Sequence, residues 1–67
     1  MAVARVTEIS STSPKGFDEA IQDGIARATK TLRNVRSAWV KEQRVDIKND
    51  KIAEYQVNLM VTFVLED

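Results

Sequence analysis

The sequence predicts an α+β fold in the order strand, helix, strand, strand. Three observations carry this prediction: a β-branched, alternating segment at residues 3–10, a helical repeat of apolar residues over 17–32, and two long alternating segments around the turn signal at 49–50. Alternation with a period of two is typical of strands, whereas steps of three and four are typical of an amphipathic helix. We therefore expect one helix on a small antiparallel sheet, in a single domain over 1–67.

The first strand and the helix are separated by a turn-forming cluster at residues 11–16, where Ser13 or Gly16 can cap the helix. The apolar face of the helix repeats at steps of three and four and consists of Phe17, Ala20, Ile21, Gly24, Ile25, Ala28 and Leu32. Gly24 costs about 1 kcal/mol relative to Ala in a helix, so we expect a close approach of helix to sheet there. Asn34 is expected to adopt the left-handed conformation after the helix.

Residues 35–48 and 52–65 are expected to form a hairpin that turns at 49–50. With those two residues in the turn, the opposed pairs include Trp39 with Met60 and Gln43 with Gln56. The segment 52–65 is the most apolar, so we expect it in the middle of the sheet, with the first strand on its far side. A right-handed crossover through the helix then joins two parallel outer strands.

Both faces of the predicted sheet carry apolar residues, yet one helix can cover only one of them. The covered face is expected to hold Tyr55, Val57, Leu59, Val61, Phe63 and Leu65, together with Ala38 and Val40. The opposite face is expected to expose Val35, Trp39, Ile47, Ile52, Met60 and Val64. Such a patch marks an interface or a ligand site, and a domain of this size without disulfides or a metal generally needs partner subunits. The sequence therefore predicts self-association.

Composition excludes several classes of function. Ten Lys and Arg residues balance ten Asp and Glu residues, which argues against a nucleic-acid partner. The chain has no cysteine and no histidine, so thiolate and imidazole metal ligands and the commonest general base are absent. We find no catalytic constellation and expect a binding protein rather than an enzyme. No apolar run approaches the ~20 residues of a membrane span, and no signal peptide is evident, so we expect a cytoplasmic protein without a membrane partner.

Trp39 and Gln56 fall on the same predicted face of the sheet and are the candidate ligand-binding residues. A tryptophan there fills an interface or stacks on a planar ligand, while a glutamine can donate and accept together, which suits the edge of a heteroaromatic ring. The carboxylates of Glu42, Asp46 and Glu54 could bind a hard cation through oxygen. Their spacing matches no known metal loop, and a solvated surface is the favoured interpretation, so no metal site is assigned.

Five stretches, distributed between residues 12 and 67, resemble those of one family: Thr12-Ser13-Pro14, Ala26 to Asn34, Val40-Lys41-Glu42-Gln43, Glu54-Tyr55-Gln56-Val57 and Val61 to Asp67. In these stretches, in length and in element order, the chain resembles the dodecins. The resemblance implies a three-stranded antiparallel sheet wrapped around one helix. It also implies that twelve copies form a hollow shell of cubic symmetry.

The resemblance further implies a flavin ligand, FMN or riboflavin, stacked in pairs between tryptophans of neighbouring subunits, with a glutamine at the ring edge. Gln56 matches that glutamine. The stacking position of the family falls on Ser37, and Trp39 lies two residues later, on the same face but displaced by about 6.6 Å. Gln43 and Val45 are expected to line the pocket. The expected function is storage or sequestration of flavin; the alternative is a dodecin-like shell that binds a metal ion or another small ligand instead.

Overall fold

A computed structural model describes residues 3–65, and its elements follow the predicted order. These elements are strand β1 (Val3–Ser13), helix α1 (Phe17–Thr31), strand β2 (Val35–Lys48) and strand β3 (Lys51–Leu65). The sheet order is β1-β3-β2, and β3 pairs antiparallel with both neighbours. The prediction that the most apolar strand lies at the centre, between two parallel outer strands, is confirmed. Among the described residues no helix is long and apolar enough to span a membrane.

Strand β1 is three residues longer than predicted, because residues 11–13 continue the ladder with β3 instead of turning. The side chain of Ser13 is buried, and its Oγ accepts a hydrogen bond from the backbone N–H of Lys15 at 3.0 Å. That bond shapes the turn into α1 without capping the helix. Gly16 is the N-cap residue and supplies no side-chain hydrogen bond.

Within residues 3–65, three non-glycine residues adopt left-handed backbone conformations, and each lies at a predicted turn or helix end. Asn34 has a φ of 59° between α1 and β2, while Asn49 and Asp50 have φ values of 53° and 63° between β2 and β3. Asn and Asp tolerate this region better than most residues, and positive φ at both central positions is the geometry that a two-residue hairpin favours. Asn34 also ties the helix exit to the sheet, since its carbonyl accepts the N–H of Val64 at 3.0 Å.

The core lies between α1 and the central strand. Its fully or almost fully buried members are Ala20, Ala28, Val57, Leu59 and Val61, and the partly buried residues around them are Ile9, Phe17, Ile21, Ile25, Leu32 and Val35. The close approach predicted at Gly24 is confirmed. A β-carbon added there would lie 3.0 Å from Leu59 Cδ1 and 3.2 Å from Ser11 Cβ.

Strand β2 extends away from this core, and all its residues except Val35 and Val45 are exposed. The protomer is consequently elongated, with extents of 51 × 19 × 13 Å and a radius of gyration of 13.8 Å. A compact chain of this length would have a radius of gyration of about 11 Å. Large apolar side chains are exposed along the hairpin, namely Trp39, Val40, Ile47 and Ile52. The shape and this surface are those of a subunit rather than of a self-sufficient monomer.

The β2–β3 ladder is irregular at three places, and the irregularity at Lys41 determines which side chains share a face. Before it, the predicted register holds, and Trp39 faces Met60. Lys41 is an extra residue on β2, so that two residues oppose one on β3. Such a bulge shifts the register by one, and a shift of one moves side chains to the other face. Residues 42–46 therefore project on the side opposite to the one predicted.

Gln43 and Val45, two of the predicted pocket residues, lie on the helix side of the sheet because of this bulge. Gln43 faces Val57, not Gln56 as predicted, and Val45 faces Tyr55. Val57 is a core residue under α1. The predicted pairing of Gln43 with Gln56 was wrong. Gln43 and Val45 were placed in the pocket because they were expected to share a face with Gln56, and in the structure they do not share it.

Two other predictions fail for related reasons. The regular hairpin register predicts that Arg44 lies opposite Tyr55 and stacks with it, but the shifted register brings Val45 opposite Tyr55. Instead Tyr55 packs edge-to-face on Phe17 of the helix, with ring centroids 5.1 Å apart. Val35 was expected on the exposed face, yet it packs against the core, because a further register shift follows it.

Candidate functional site

The face of the sheet that points away from α1, here called the uncovered face, carries the candidate site. Cross-strand pairing places side chains of three strands on it: Val6, Glu8, Ser10 and Thr12 of β1, Ser37, Trp39, Glu42 and Arg44 of β2, and Gln56, Asn58, Met60 and Thr62 of β3. Paired residues project to the same side of a sheet and lie close together. This face has an apolar, aromatic end and a polar end.

The aromatic end is built around Trp39. This residue faces Met60, and Ser37 faces Thr62 in the neighbouring pair. The side chain of Trp39 is 52% exposed, so about half of its surface is available to a planar ligand or to another subunit. The structure thus places Ser37 and Trp39 on one face, as the sequence predicted.

The polar end is a continuous hydrogen-bond network centred on Gln56. Its Nε2 donates to Ser10 Oγ at 2.9 Å and to Asn58 Oδ1 at 3.4 Å, and its Oε1 accepts from Arg44 Nε at 3.3 Å. Asn58 Nδ2 in turn donates to Glu42 Oε1 at 2.8 Å. Five side chains from three strands are therefore held in one arrangement, and the Gln56 amide is oriented rather than free to rotate.

An ion pair lies at the aromatic end of the face. Lys41 Nζ lies 3.2 Å from Glu8 Oε1, with both side chains about half exposed. Glu8 is on β1 and faces Met60 of β3, so the pair connects the two outer strands across the centre of the sheet. An exposed pair of this kind contributes only ~0–1 kcal/mol to stability. Glu8, Met60 and Trp39 form one row across the three strands, so the ion pair lies beside the aromatic end of the face.

The three carboxylates considered for a cation do not converge. Asp46 faces Glu54, whereas Glu42 is engaged by the Asn58 amide. Within residues 3–65, no group of three or more histidine, cysteine, aspartate or glutamate side chains is placed to hold a metal ion.

Sequence reasoning missed Ser10, Glu42, Arg44 and Asn58 as members of the site. A signal for three of them exists, because Glu42 and Arg44 are spaced by two, as are Gln56 and Asn58. A one-residue shift in the hairpin register pairs these complementary polar side chains. The regular hairpin register that the 49–50 turn predicts does not pair Glu42 with Asn58 or Arg44 with Gln56, so the complementarity of these side chains was not recognised.

Comparison with known proteins identifies the family. A family model described as Dodecin matches residues 3–66. The chain belongs to the dodecin family. It is 45% identical over 65 residues to the dodecin of Thermus thermophilus, covering 97% of this chain and 94% of that protein. The solved structure of the dodecin from Streptomyces davaonensis matches with a TM-score of 0.93 and 42% identity, covering 98% of this chain and 97% of that one.

A more distant dodecin carries a different description. The calcium dodecin of Mycobacterium tuberculosis is 30% identical over 63 residues, covering 94% of this chain and 89% of that protein. Its solved structure, described as that of a calcium-chelating antigen with a novel calcium-binding site, matches with a TM-score of 0.83. The resemblance to dodecins and the β-α-β-β fold with a three-stranded antiparallel sheet are thus confirmed.

Proposed function

We propose that this dodecin binds a flavin, FMN or riboflavin, and stores or sequesters it inside a hollow shell of twelve copies. The observation that carries the proposal is the uncovered face, which presents a half-exposed Trp39 and an oriented Gln56 amide. The indole supplies a plane for stacking, and the amide supplies hydrogen bonds for the edge of a heteroaromatic ring. Membership of the dodecin family supports the same ligand.

The separation of the two groups indicates that more than one subunit forms the site. Trp39 faces Met60, and Met60 and Gln56 are four residues apart on β3, which corresponds to about 13 Å along a strand. A ring centred on Trp39 therefore does not reach Gln56 of the same protomer. A second copy of the chain can supply the Gln56 amide. This agrees with a flavin that is stacked between subunits, with Ser37 and Trp39 of one subunit on the face that meets the neighbouring subunit.

The proposed mechanism is physical and involves no bond making or breaking, so we propose a binding protein and not an enzyme. Stacking on Trp39 and burial between subunits would quench the excited ring and limit its photochemistry. Apolar surface on the hairpin supports the shell, since Ile47 and Ile52 face each other and are 66% and 51% exposed in the protomer. Surface of this kind is normally covered by a partner. The partner we propose is the chain itself, folded as one domain over its whole length.

The competing function is a dodecin shell that binds a metal ion or another small ligand instead of flavin. Two observations favour keeping it as the second candidate: Ser37 occupies the position expected for the stacking tryptophan, and one relative is described as a calcium dodecin. In that case Trp39 and Met60 would fill a subunit interface.

Titration separates the two functions. Purified protein is added to riboflavin and, separately, to FMN while flavin fluorescence is recorded. We expect saturable quenching and a yellow protein, and unchanged fluorescence with both ligands would refute flavin binding. Calorimetric titration with Ca²⁺ is the parallel measurement; heat of binding to Ca²⁺ without flavin quenching would establish the competing function.

A further inference from the structure

We infer that Arg44 and Glu42 together fix the direction of the Gln56 amide and so make the uncovered face selective for a ring edge that presents an N–H donor. The inference rests on the proposed flavin function and deepens it. Gln56 would contact the ligand, whereas Arg44 and Glu42 would act as positioning residues, Arg44 directly on Gln56 and Glu42 through Asn58.

The two charged ends of the network determine how both amides are oriented. A guanidinium group can only donate hydrogen bonds, so the atom of Gln56 that lies 3.3 Å from Arg44 Nε has to be the carbonyl oxygen. A carboxylate can only accept, so Asn58 has to turn its amino group to Glu42, at 2.8 Å. The carbonyl oxygen of Asn58 is then left for the amino group of Gln56, at 3.4 Å.

Both ends therefore impose the same direction. Donation runs from Arg44 to Gln56, from Gln56 to Asn58 and from Asn58 to Glu42. Reversing either amide would set a donor against a donor or an acceptor against an acceptor. The bulge at Lys41 makes this possible, because it turns both charged side chains onto the face that carries the amides.

The hydrogen-bonding capacity that remains defines the ligand. Both N–H groups of Gln56 are used, on Ser10 and Asn58, while its carbonyl oxygen accepts one bond and retains a second lone pair. The Ser10 oxygen accepts, so its hydroxyl proton is available for donation. The face thus offers an acceptor beside a donor. The complementary edge is a cyclic imide, an N–H next to a carbonyl, which the flavin ring system possesses.

The test compares riboflavin with 3-methylriboflavin, which lacks the imide N–H, by fluorescence titration. The test variant combines Arg44→Met with Glu42→Gln, which removes both fixed ends and leaves the net charge unchanged. The control combines Arg44→Lys with Glu42→Asp, which keeps a donor-only and an acceptor-only end. The methyl group of 3-methylriboflavin crowds the site equally in every variant. A change in the ratio of riboflavin affinity to 3-methylriboflavin affinity therefore reports the hydrogen bond from the imide N–H to Gln56.

We expect the wild type to prefer riboflavin by at least about tenfold, since the methylated ligand covers the second lone pair of the Gln56 carbonyl oxygen without donating a hydrogen bond to it. The ratio should fall to roughly twofold in the test variant and stay near the wild-type value in the control. Each single variant gives a second measurement: Arg44→Met should lower the ratio more than Glu42→Gln, because Arg44 contacts Gln56 directly. An unchanged ratio in a test variant that still binds riboflavin would overturn the inference and leave the proposed function standing. Failure of the wild type to bind either ligand would overturn both.

Discussion

Trp39 lies in register with Met60 on the uncovered face, two residues before the bulge at Lys41 changes which side chains share that face. Beyond the bulge, charged and amide side chains replace apolar ones, so the boundary between the aromatic and polar ends coincides with the change of register. The extra residue of the bulge, Lys41, forms the ion pair with Glu8. Trp39 is the aromatic side chain among the residues that pairing places on this face, and the proposed stacking therefore depends on it.

Replacing Trp39 with alanine should lower flavin affinity by about five- to 150-fold, because stacking on an aromatic side chain contributes ~1–3 kcal/mol. Trp39→Phe should retain most of the affinity, since a smaller ring still offers a plane. The measurement is fluorescence titration with riboflavin, with light scattering on the same samples. The shell should persist in both variants.

The competing function makes the opposite prediction for the same variant. If Trp39 only fills a subunit interface, Trp39→Ala removes a buried side chain at a cost of ~3–5 kcal/mol. The shell would then dissociate into smaller species in light scattering. A dissociated Trp39→Ala protein would therefore contradict the ligand-stacking role.

Moving the tryptophan from position 39 to position 37 tests which of the two positions carries the stacked flavin ring. The double variant Ser37→Trp with Trp39→Ala restores the tryptophan at the position to which the family's stacking residue aligns. Both positions lie on the uncovered face, so we expect the double variant to regain flavin affinity relative to Trp39→Ala alone. Titrating both proteins with riboflavin decides it, and an equally weak double variant would show that the ring sits only on Trp39.

The sequence was sufficient for the order of elements, the central strand and the left-handed turn residues, because these follow from local patterns. The period of two, the helical repeat and the Asn and Asp residues at turns each act within a few positions. The same holds for Gly24, whose place on an apolar helix face already indicated close packing. Trp39 and Ser37 could also be placed, since they precede the bulge at Lys41.

The polar end could not be predicted in the same way. The shifted pairing over residues 42–46 lies between two irregularities, one between Asp46 and Ile47 and one at Lys41. Both depend on pairing between strands, and a hairpin register taken from the 49–50 turn contains no information about either. Gln43 and Val45 were therefore assigned to the wrong face, and Arg44 was not assigned to the site. Residues 11–13 were assigned to a turn for a similar reason: serine and threonine favour turns locally, but partners on β3 hold these residues in the sheet.

Gly24→Ala should lower the free energy of unfolding by about 1 kcal/mol. Alanine improves helix propensity by ~1 kcal/mol, but overpacking costs ~1–3 kcal/mol. The new β-carbon would lie 3.0 Å from Leu59 Cδ1 and 3.2 Å from Ser11 Cβ. Leu59 is buried in the core and Ser11 Cβ is fixed to a strand, so neither can move away easily. Denaturant titration at one fixed protein concentration measures the effect.

Gly16→Ser is the matched control for that substitution. A β-carbon at Gly16 has no neighbour within 4 Å, and the residue is an N-cap without a side-chain hydrogen bond. Serine can supply that bond, so stability should stay equal or rise by a few tenths of a kcal/mol, about the advantage of serine over glycine at this position. A more stable Gly24→Ala protein would contradict the close approach seen between α1 and β3.

Ile47→Lys tests the shell without touching the candidate flavin site. Ile47 is 66% exposed in the protomer and lies near the hairpin turn, so in an isolated subunit the change should alter stability by no more than ~0.5 kcal/mol. If subunits cover this end of the hairpin, the buried ammonium should instead break the assembly.

We expect the wild type to scatter light as a particle of roughly 90 kDa, twelve times the 7.6 kDa chain, and the Ile47→Lys variant to form smaller species. Lys48→Ser, at the adjacent exposed position, should leave the particle intact. A wild type that is a folded monomer or dimer at micromolar concentration would refute the twelve-subunit shell, and an intact Ile47→Lys shell would show that this end of the hairpin stays in solvent.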